Sequence, residues 1–207
     1  MAGWTKTAKK GGDFEGAPAG NHPAVLVAII ALGTQEQTFQ GETKWSERAY
    51  FCWELVSAPT KSGGNFVIGI DLTTSLNEKA KLRKWIEARA GRAIPEGVEY
   101  DISKELGKPC LLNVVEKGGY SKIESVAAVP TGMMVAKPNK PLTLISLEDF
   151  QKGTPIPEWI PWSYGEKLAD IIPRCEEIAG AGETPTANGK PVKGEVNVPD
   201  QKEEIPF

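Results

Sequence analysis

The sequence predicts a mostly β protein, a partly open barrel of five strands with one helix between the third and fourth strands. Three observations support this prediction: three consecutive runs rich in β-branched and aromatic residues, one stretch with helical spacing, and two further β-type runs joined by a glycine turn. With 207 residues and 40% apolar content, the chain is long enough for one ordinary core with appendages.

The first three strands are predicted from runs of β-forming residues bounded by turn residues. These runs are PAVLVAIIALGTQ at 23–35, KWSERAYFCWELV at 44–56 and GNFVIGIDLTTS at 64–75. The apolar part of the first run covers 24–32, about half of the roughly 20 residues that a membrane-spanning helix needs. We therefore expect a buried strand there and no membrane partner.

The next segment, SLNEKAKLRKWIEARAG at 75–91, changes to helical spacing. Ser75 and Glu78 match a capping box at its start, and Gly91 is placed to end the helix. The apolar residues that can share one face are Leu76, Leu82, Trp85 and Ile86.

Two more strands are predicted at GKPCLLNVVEK, 107–117, and YSKIESVAAVP, 120–130, with a tight hairpin turn between them at 117–119. The resulting order of three strands, one helix and two strands is that of the OB-fold barrel. Four regions follow from the composition: a flexible arm at 1–20, the barrel at 21–152, a Trp- and Pro-rich extension packed on the barrel at 153–178, and a disordered linker and tail at 179–207.

Composition argues against an enzyme and against a uniformly basic surface. The net charge is -3, so a nucleic-acid site would have to be a local groove. His22 is the only histidine, no GxxxxGK[ST] phosphate loop is present, and the three cysteines are widely spaced. We expect no catalytic residues, no metal, no cofactor and no disulfide framework, which together with the absence of an export signal fits the reducing cytoplasm.

Aromatic and cationic residues in the strands and loops predict a single-stranded DNA groove. Alternation along the second run puts Ala49, Phe51, Trp53 and Leu55 on a core face and Arg48, Tyr50, Cys52 and Glu54 on the opposite face. Unpaired bases stack on aromatic rings while lysine or arginine meets the phosphates. The candidate groove residues are Phe39, Lys44, Trp45, Arg48, Tyr50, Tyr120 and Lys122. The alternative for each ring is ordinary packing in the fold.

The chain ends with KEEIPF, which closely resembles the acidic C-terminus of bacterial single-stranded DNA-binding proteins, although Lys202 interrupts the acidic run. The stretches PAVLVAIIALGTQ, SLNEKAKLRKWIEARAGRA and GKPCLLNVVEK look like those of phage-encoded single-stranded DNA-binding proteins. This resemblance implies an OB-type core that coats exposed strands during phage replication in the bacterial host cytoplasm. It also implies docking of replication or recombination proteins on the tail, through Asp200, Glu203, Glu204, Ile205, Pro206 and Phe207.

Three other functions remain open at this point. The chain could anneal complementary strands in recombination, or serve as an OB-like adaptor that binds no DNA and uses only its tail. A metal-dependent nuclease is the enzyme alternative, because scattered carboxylates can converge in a fold without any sequence signature.

Overall fold

The computed structural model describes residues 15–39 and 42–180, without the side chain of Phe39. Most of the predicted arm, the tip of the first hairpin and almost all of the predicted linker and tail therefore lie outside the described residues.

The fold is mostly β and is built around one six-stranded sheet that does not close. Five strands follow the order β3-β2-β1-β4-β5, and every neighbouring pair on this path is antiparallel. A short sixth strand, β6, pairs with β1 in parallel. The strands are β1 Gly20–Phe39, β2 Glu42–Pro59, β3 Asn65–Thr73, β4 Pro109–Lys117, β5 Tyr120–Ala127 and β6 Thr143–Ile145.

Strand β1 organises the sheet because it changes neighbours along its length. Its first part, 20–25, pairs with β4, and residues 28–30 pair with β6 after β4 has diverged. Two register shifts against β2, at Leu26/Ala28 and Ala31/Gly33, bend the strand, as β-bulges do. Gly33 suits the second bend because its φ is 72° and an added Cβ would lie 2.6 Å from the Cβ of Cys175.

The two edge strands of the five-strand path, β3 and β5, approach each other without forming a ladder. Helix α1, Lys81–Ala90, contacts both of them. The sheet therefore curls on itself, and the helix spans the gap between its edges. The predicted order of three strands, a helix and two strands is found here, whereas β6 was not predicted.

Helix α1 is shorter than the sequence predicts. It begins at Lys81, Ala80 provides no side-chain cap, and the predicted capping box is not formed, because the Ser75 hydroxyl instead accepts a hydrogen bond from the Asn77 amide at 3.2 Å. The predicted end is confirmed: Gly91 adopts the left-handed conformation with φ 65°. The predicted hairpin turn is also confirmed, since β4 ends at Lys117 and β5 begins at Tyr120.

The inner face of the curled sheet packs on α1 to form the main core. Phe51 and Trp53 are stacked with ring centroids 6.2 Å apart, and Trp53 meets Trp85 of the helix edge-on at 5.9 Å. Burying a side chain of this size stabilises a fold by about 1.5 to 3 kcal/mol, so these rings are a main source of stability. Other members are Leu26, Ile29, Leu55, Phe66, Ile68, Leu82, Ile86, Leu112, Val114, Ile123 and Val126.

The outer face of β1 and β2 is buried as well, which corrects the prediction that only one face of β2 is core. The chain after β5 returns across this face through β6, α2 Leu147–Gln151, α3 Leu168–Ile171 and α4 Glu176–Ala179. Its apolar residues form a second core with the outward side chains of the two strands. The members include Val25, Val27, Ile30, Leu32, Tyr50, Cys52, Ile145, Ile160, Leu168 and Ile172.

Two carboxylates attach this returning chain to the sheet. Glu54, fully buried on the outer face of β2, accepts hydrogen bonds from the amides of Asn139 at 2.9 Å and Lys140 at 2.8 Å. Glu177 of α4 accepts from the Thr34 amide at 2.8 Å, at the edge of β1 beyond β6. The first contact satisfies two backbone amides of the returning chain, and the second bonds a backbone amide of β1.

Candidate nucleic-acid interface

Two predicted groove residues, Tyr50 and Arg48, are not accessible, and the prediction is wrong for both. Tyr50 is only 2% exposed and packs under the returning chain, where its hydroxyl donates to the carbonyl of Trp162 at 3.3 Å. Burial is the main reason that its pKa is raised above the ordinary value of 10.0. The ring therefore serves as core, and no base can stack on it in this arrangement.

Arg48 is buried in an ion pair with Asp71 of the neighbouring strand β3. Its Nε lies 2.7 Å from Oδ1 of Asp71, and its Nη2 also donates to the Asp71 carbonyl at 3.4 Å. Burial raises the pKa of Asp71, while the guanidinium opposes that rise. The Arg48 cation is thus engaged within the sheet and does not face a phosphate.

Trp45 and Lys44 lie on an exposed two-stranded ribbon formed by residues 36–38 and 42–47, beyond the covered part of the sheet. Trp45 is 50% exposed. Because neighbouring residues of a strand alternate, Trp45 shares its face with Phe51, while Lys44 lies on the opposite face and pairs with Glu42 at 3.1 Å. The structure therefore does not bring this ring and this cation together.

Tyr120 and Lys122 do share one exposed face, on the hairpin of β4 and β5. Tyr120 is 67% exposed, and Lys122 follows two residues later on the same strand. Lys117 lies directly opposite Tyr120 in the ladder, which places a second lysine beside the ring. Of the predicted groove residues, these two form the pairing that fits a base and its phosphate.

The remaining predicted residues fall outside the described side chains. Phe39 is the last residue of β1, and only its backbone is described. The tail residues Asp200, Glu203, Glu204, Ile205, Pro206 and Phe207 lie outside the described residues.

A further exposed aromatic pair lies in the returning chain, with Trp162 just before the turn of residues 163–166 and Tyr164 within it. Trp162 is 59% exposed and Tyr164 is 87% exposed. The Nζ of Lys167 lies 5.6 Å from the centroid of the Trp162 ring. We call Trp162, Tyr164 and Lys167 the WSYG platform.

The sequence contains a signal for the exposed Tyr164 of the WSYG platform, although composition alone predicts only packing of this segment on the barrel. Two aromatic residues separated by one position immediately precede a glycine. In a two-residue turn, a side chain at the tip has no neighbouring layer to pack against. An exposed Tyr164 ring at this tip can therefore be expected once the turn is recognised, whereas the same argument does not reach Trp162, which precedes the turn.

A comparison with protein-family models found no match to this chain, and a comparison with curated proteins found none either. Within residues 15–39 and 42–180, no helix has the length and apolar character needed to cross a membrane. Over the same residues, histidine, cysteine and carboxylate side chains do not gather in groups of three that would suit a metal ion.

Proposed function

We propose that this chain is a sequence-tolerant single-stranded DNA-binding protein built on an OB-fold core. The strand path β3-β2-β1-β4-β5, the approach of β3 to β5 and the helix between β3 and β4 support the OB assignment. In OB folds, the loops joining strands one to two and four to five flank the face that binds oligonucleotides. An exposed ring lies on a strand next to each of these connections, Trp45 near the start of β2 and Tyr120 at the start of β5.

The observation that carries the proposal is the exposed group of Tyr120, Lys122 and Lys117 on one face of a loop-flanking hairpin. A ring this exposed adds little to the stability of the fold, whereas it can stack on any unpaired base. Lysines on either side can meet the phosphates that flank such a base. Recognition by stacking does not depend on base identity, so the expected binding is sequence-tolerant.

We further propose that the C-terminal residues, ending in Ile205, Pro206 and Phe207, dock replication or recombination proteins. The Phe207 ring beside Ile205 and Pro206 suits an apolar pocket, and the preceding acids favour encounter with a basic partner. Coating exposed strands during phage replication in a host cytoplasm is the setting that the sequence resemblance suggests. DNA binding and recruitment would then use separate parts of one chain.

Oligonucleotide binding tests the proposal directly. Anisotropy of labelled oligo-dT at low salt should report binding by the full chain, and log K should fall with log salt by about 0.7 per phosphate neutralised. Trp45→Ala and Tyr120→Ala should each weaken binding by at least about fivefold, the equivalent of about 1 kcal/mol per stacked base. Trp45→Phe and Tyr120→Phe keep a ring and serve as controls.

Deletion of residues 199–207 tests the tail separately. Candidate replication proteins that bind the full chain should no longer bind the truncated chain, while its affinity for oligo-dT stays equal or rises because acids are removed. Unchanged partner binding after the deletion would reject the tail proposal.

The adaptor is the second candidate, and the covered outer face of β2 favours it, because that face is part of the usual oligonucleotide surface of OB folds. Binding of oligo-dT distinguishes the coat protein from the adaptor. No binding of oligo-dT by the full chain at low salt, together with partner binding by the tail, would support the adaptor over the coat protein.

A further inference from the structure

The WSYG platform stands on a turn whose backbone conformation is unfavourable for its own tyrosine. Ser163 and Glu166 exchange two backbone hydrogen bonds, each of 2.9 Å, around the two central residues Tyr164 and Gly165. Both central residues have positive φ, 50° and 84°, as in a type I′ turn. Asn, Asp or Gly usually occupies the first central position, because a bulky side chain is strained there.

Burial of apolar surface does little to offset the backbone strain at Tyr164. Its ring is 87% exposed, so almost none of its apolar area is removed from water. Trp162, two residues earlier, is also more than half exposed, whereas Ser163 between them is buried. The turn is anchored by its backbone and by Ser163, and both aromatic rings are left facing solvent. Strained backbone that presents an accessible side chain is typical of binding sites.

The position of the turn is defined by its contact with β2. The Tyr50 hydroxyl donates to the Trp162 carbonyl, so Trp162 stands directly over the outer face of that strand. On β3, Gly69 lies opposite Cys52 and diagonal to Tyr50, and it has no side chain where the Tyr50 ring lies. The platform thus rises from the surface formed by β2 and β3, the strands that OB folds use to bind oligonucleotides.

The charge beside the Trp162 ring is positive. Lys167 sits over the Trp162 ring, and the nearest acid along the turn, Glu166, is paired with Arg174 at 2.8 Å. The pairing leaves Lys167 as the cation beside the Trp162 ring. An aromatic pair with one adjacent lysine is the composition that single-stranded nucleic-acid sites share.

We propose that the returning chain replaces the covered face of β2 with a stacking surface of its own, in which Trp162 and Tyr164 stack on unpaired bases and Lys167 contacts the phosphate between them. This inference rests on the proposed function and deepens it. It assigns the DNA path across the outer side of β2 and β3, in addition to the hairpin strands that carry Trp45 and Tyr120.

Oligo-dT titration of the full chain and its variants tests this proposal. Trp162→Ala and Tyr164→Ala should each weaken binding at least about fivefold, while Trp162→Phe should retain most of the affinity. Leu144→Ala, which removes an exposed apolar side chain on β6, is the matched control and should change nothing. Lys167→Gln should reduce the salt slope by about 0.7, whereas the ring variants should leave that slope unchanged.

Two further arms separate stacking from loss of structure. Tyr164→Asn should fold at least as well as the wild type, because Asn suits the first central position of this turn, yet it should bind as weakly as Tyr164→Ala. An abasic oligomer with the same phosphates offers no bases to stack on. The wild type and the ring variants should therefore bind the abasic oligomer equally well.

Four results would overturn the inference. If the full chain binds oligo-dT but the Trp162 and Tyr164 variants bind equally well, the inference fails and the proposed function stands. If the full chain binds no oligo-dT, both fail. An equal loss on the abasic oligomer would exclude base stacking. A changed oligomeric state of the variants in sedimentation, with unchanged DNA affinity, would identify the platform as a contact between protein copies.

Discussion

Replacing Glu54 with glutamine tests how the returning chain is fastened to the sheet. The Glu54 carboxylate is fully buried and accepts three hydrogen bonds, from the Asn65 side-chain amide at 2.6 Å and from the backbone amides of Asn139 and Lys140. Oε1 accepts the hydrogen bonds from Asn65 and Asn139, and Oε2 accepts the one from Lys140.

Glutamine keeps the shape of Glu54 but supplies only one oxygen acceptor. If that oxygen keeps the bonds from Asn65 and Asn139, the new NH₂ group faces the Lys140 amide, and one backbone donor loses its partner. An unsatisfied donor of this kind costs about 1 to 3 kcal/mol, and the two surviving bonds also lose their charged acceptor. We expect a loss of about 2 kcal/mol or more from a total stability of about 5 to 15 kcal/mol.

Urea unfolding followed by tryptophan fluorescence measures the Glu54→Gln effect, with an unchanged slope m showing that the unfolded state is comparable. The control is Glu148→Gln, which removes an exposed carboxylate paired with Lys152 at 2.5 Å and should cost no more than about 0.5 kcal/mol. Equal losses for the two variants would refute the assigned role of Glu54.

Three other predictions concern the covered face and the acid sensitivity of the fold. Arg48→Met or Asp71→Leu alone should cost about 3 to 5 kcal/mol in urea unfolding, because each leaves a buried charge unpaired. The double variant should cost much less, and additive losses of the two single variants would contradict the assigned ion pair. Gly69→Ala should cost about 1 to 3 kcal/mol, since its Cβ would overlap the Tyr50 ring, and a neutral result would show that the ring moves freely. Hydrogen bonds from a guanidinium and a backbone amide lower the pKa of Glu87 below its ordinary 4.5. The stability that the Glu87 carboxylate contributes is therefore present above pH 4.5 and is lost as pH falls through the lowered pKa. Thermal unfolding between about pH 5 and pH 3 should show a smaller stability loss in Glu87→Gln than in the wild type, and equal losses would exclude this origin.

The succession of three strands, a helix and two strands along the chain could be predicted from the sequence because each signal is local. The β-forming runs, the helical spacing around Trp85 and the glycines at 118 and 119 each fix their own segment. The helix start could not be placed in the same way. Ser75 and Glu78 satisfy the capping pattern, but residues 77–80 form a separate turn, in which the Ala80 amide donates to the Asn77 carbonyl at 2.8 Å, and Ala80 itself is extended. Leu76 packs on the core from outside the helix.

The covered face of β2 could not be predicted because its partners are distant in the chain. Arg48 and Glu54, two charged residues on the same face of β2, predict that this face is exposed to solvent, since charges are rarely buried without partners. Their partners are Asp71 on the next strand and the backbone at 139–140, which only the folded chain brings near. The prediction of an exposed Tyr50 failed for the same reason, whereas Tyr120 lies on a two-stranded hairpin where alternation alone decides exposure.

Photo-crosslinking provides the most direct test of base stacking on the exposed rings. Oligo-dT that carries iododeoxyuridine would be irradiated with the full chain, and the adducts would be mapped by mass spectrometry. We predict adducts at Trp45, Tyr120, Trp162 and Tyr164, and none at the buried Tyr50. Adducts at Tyr50, or binding without adducts at any of the four exposed rings, would contradict the proposed interface.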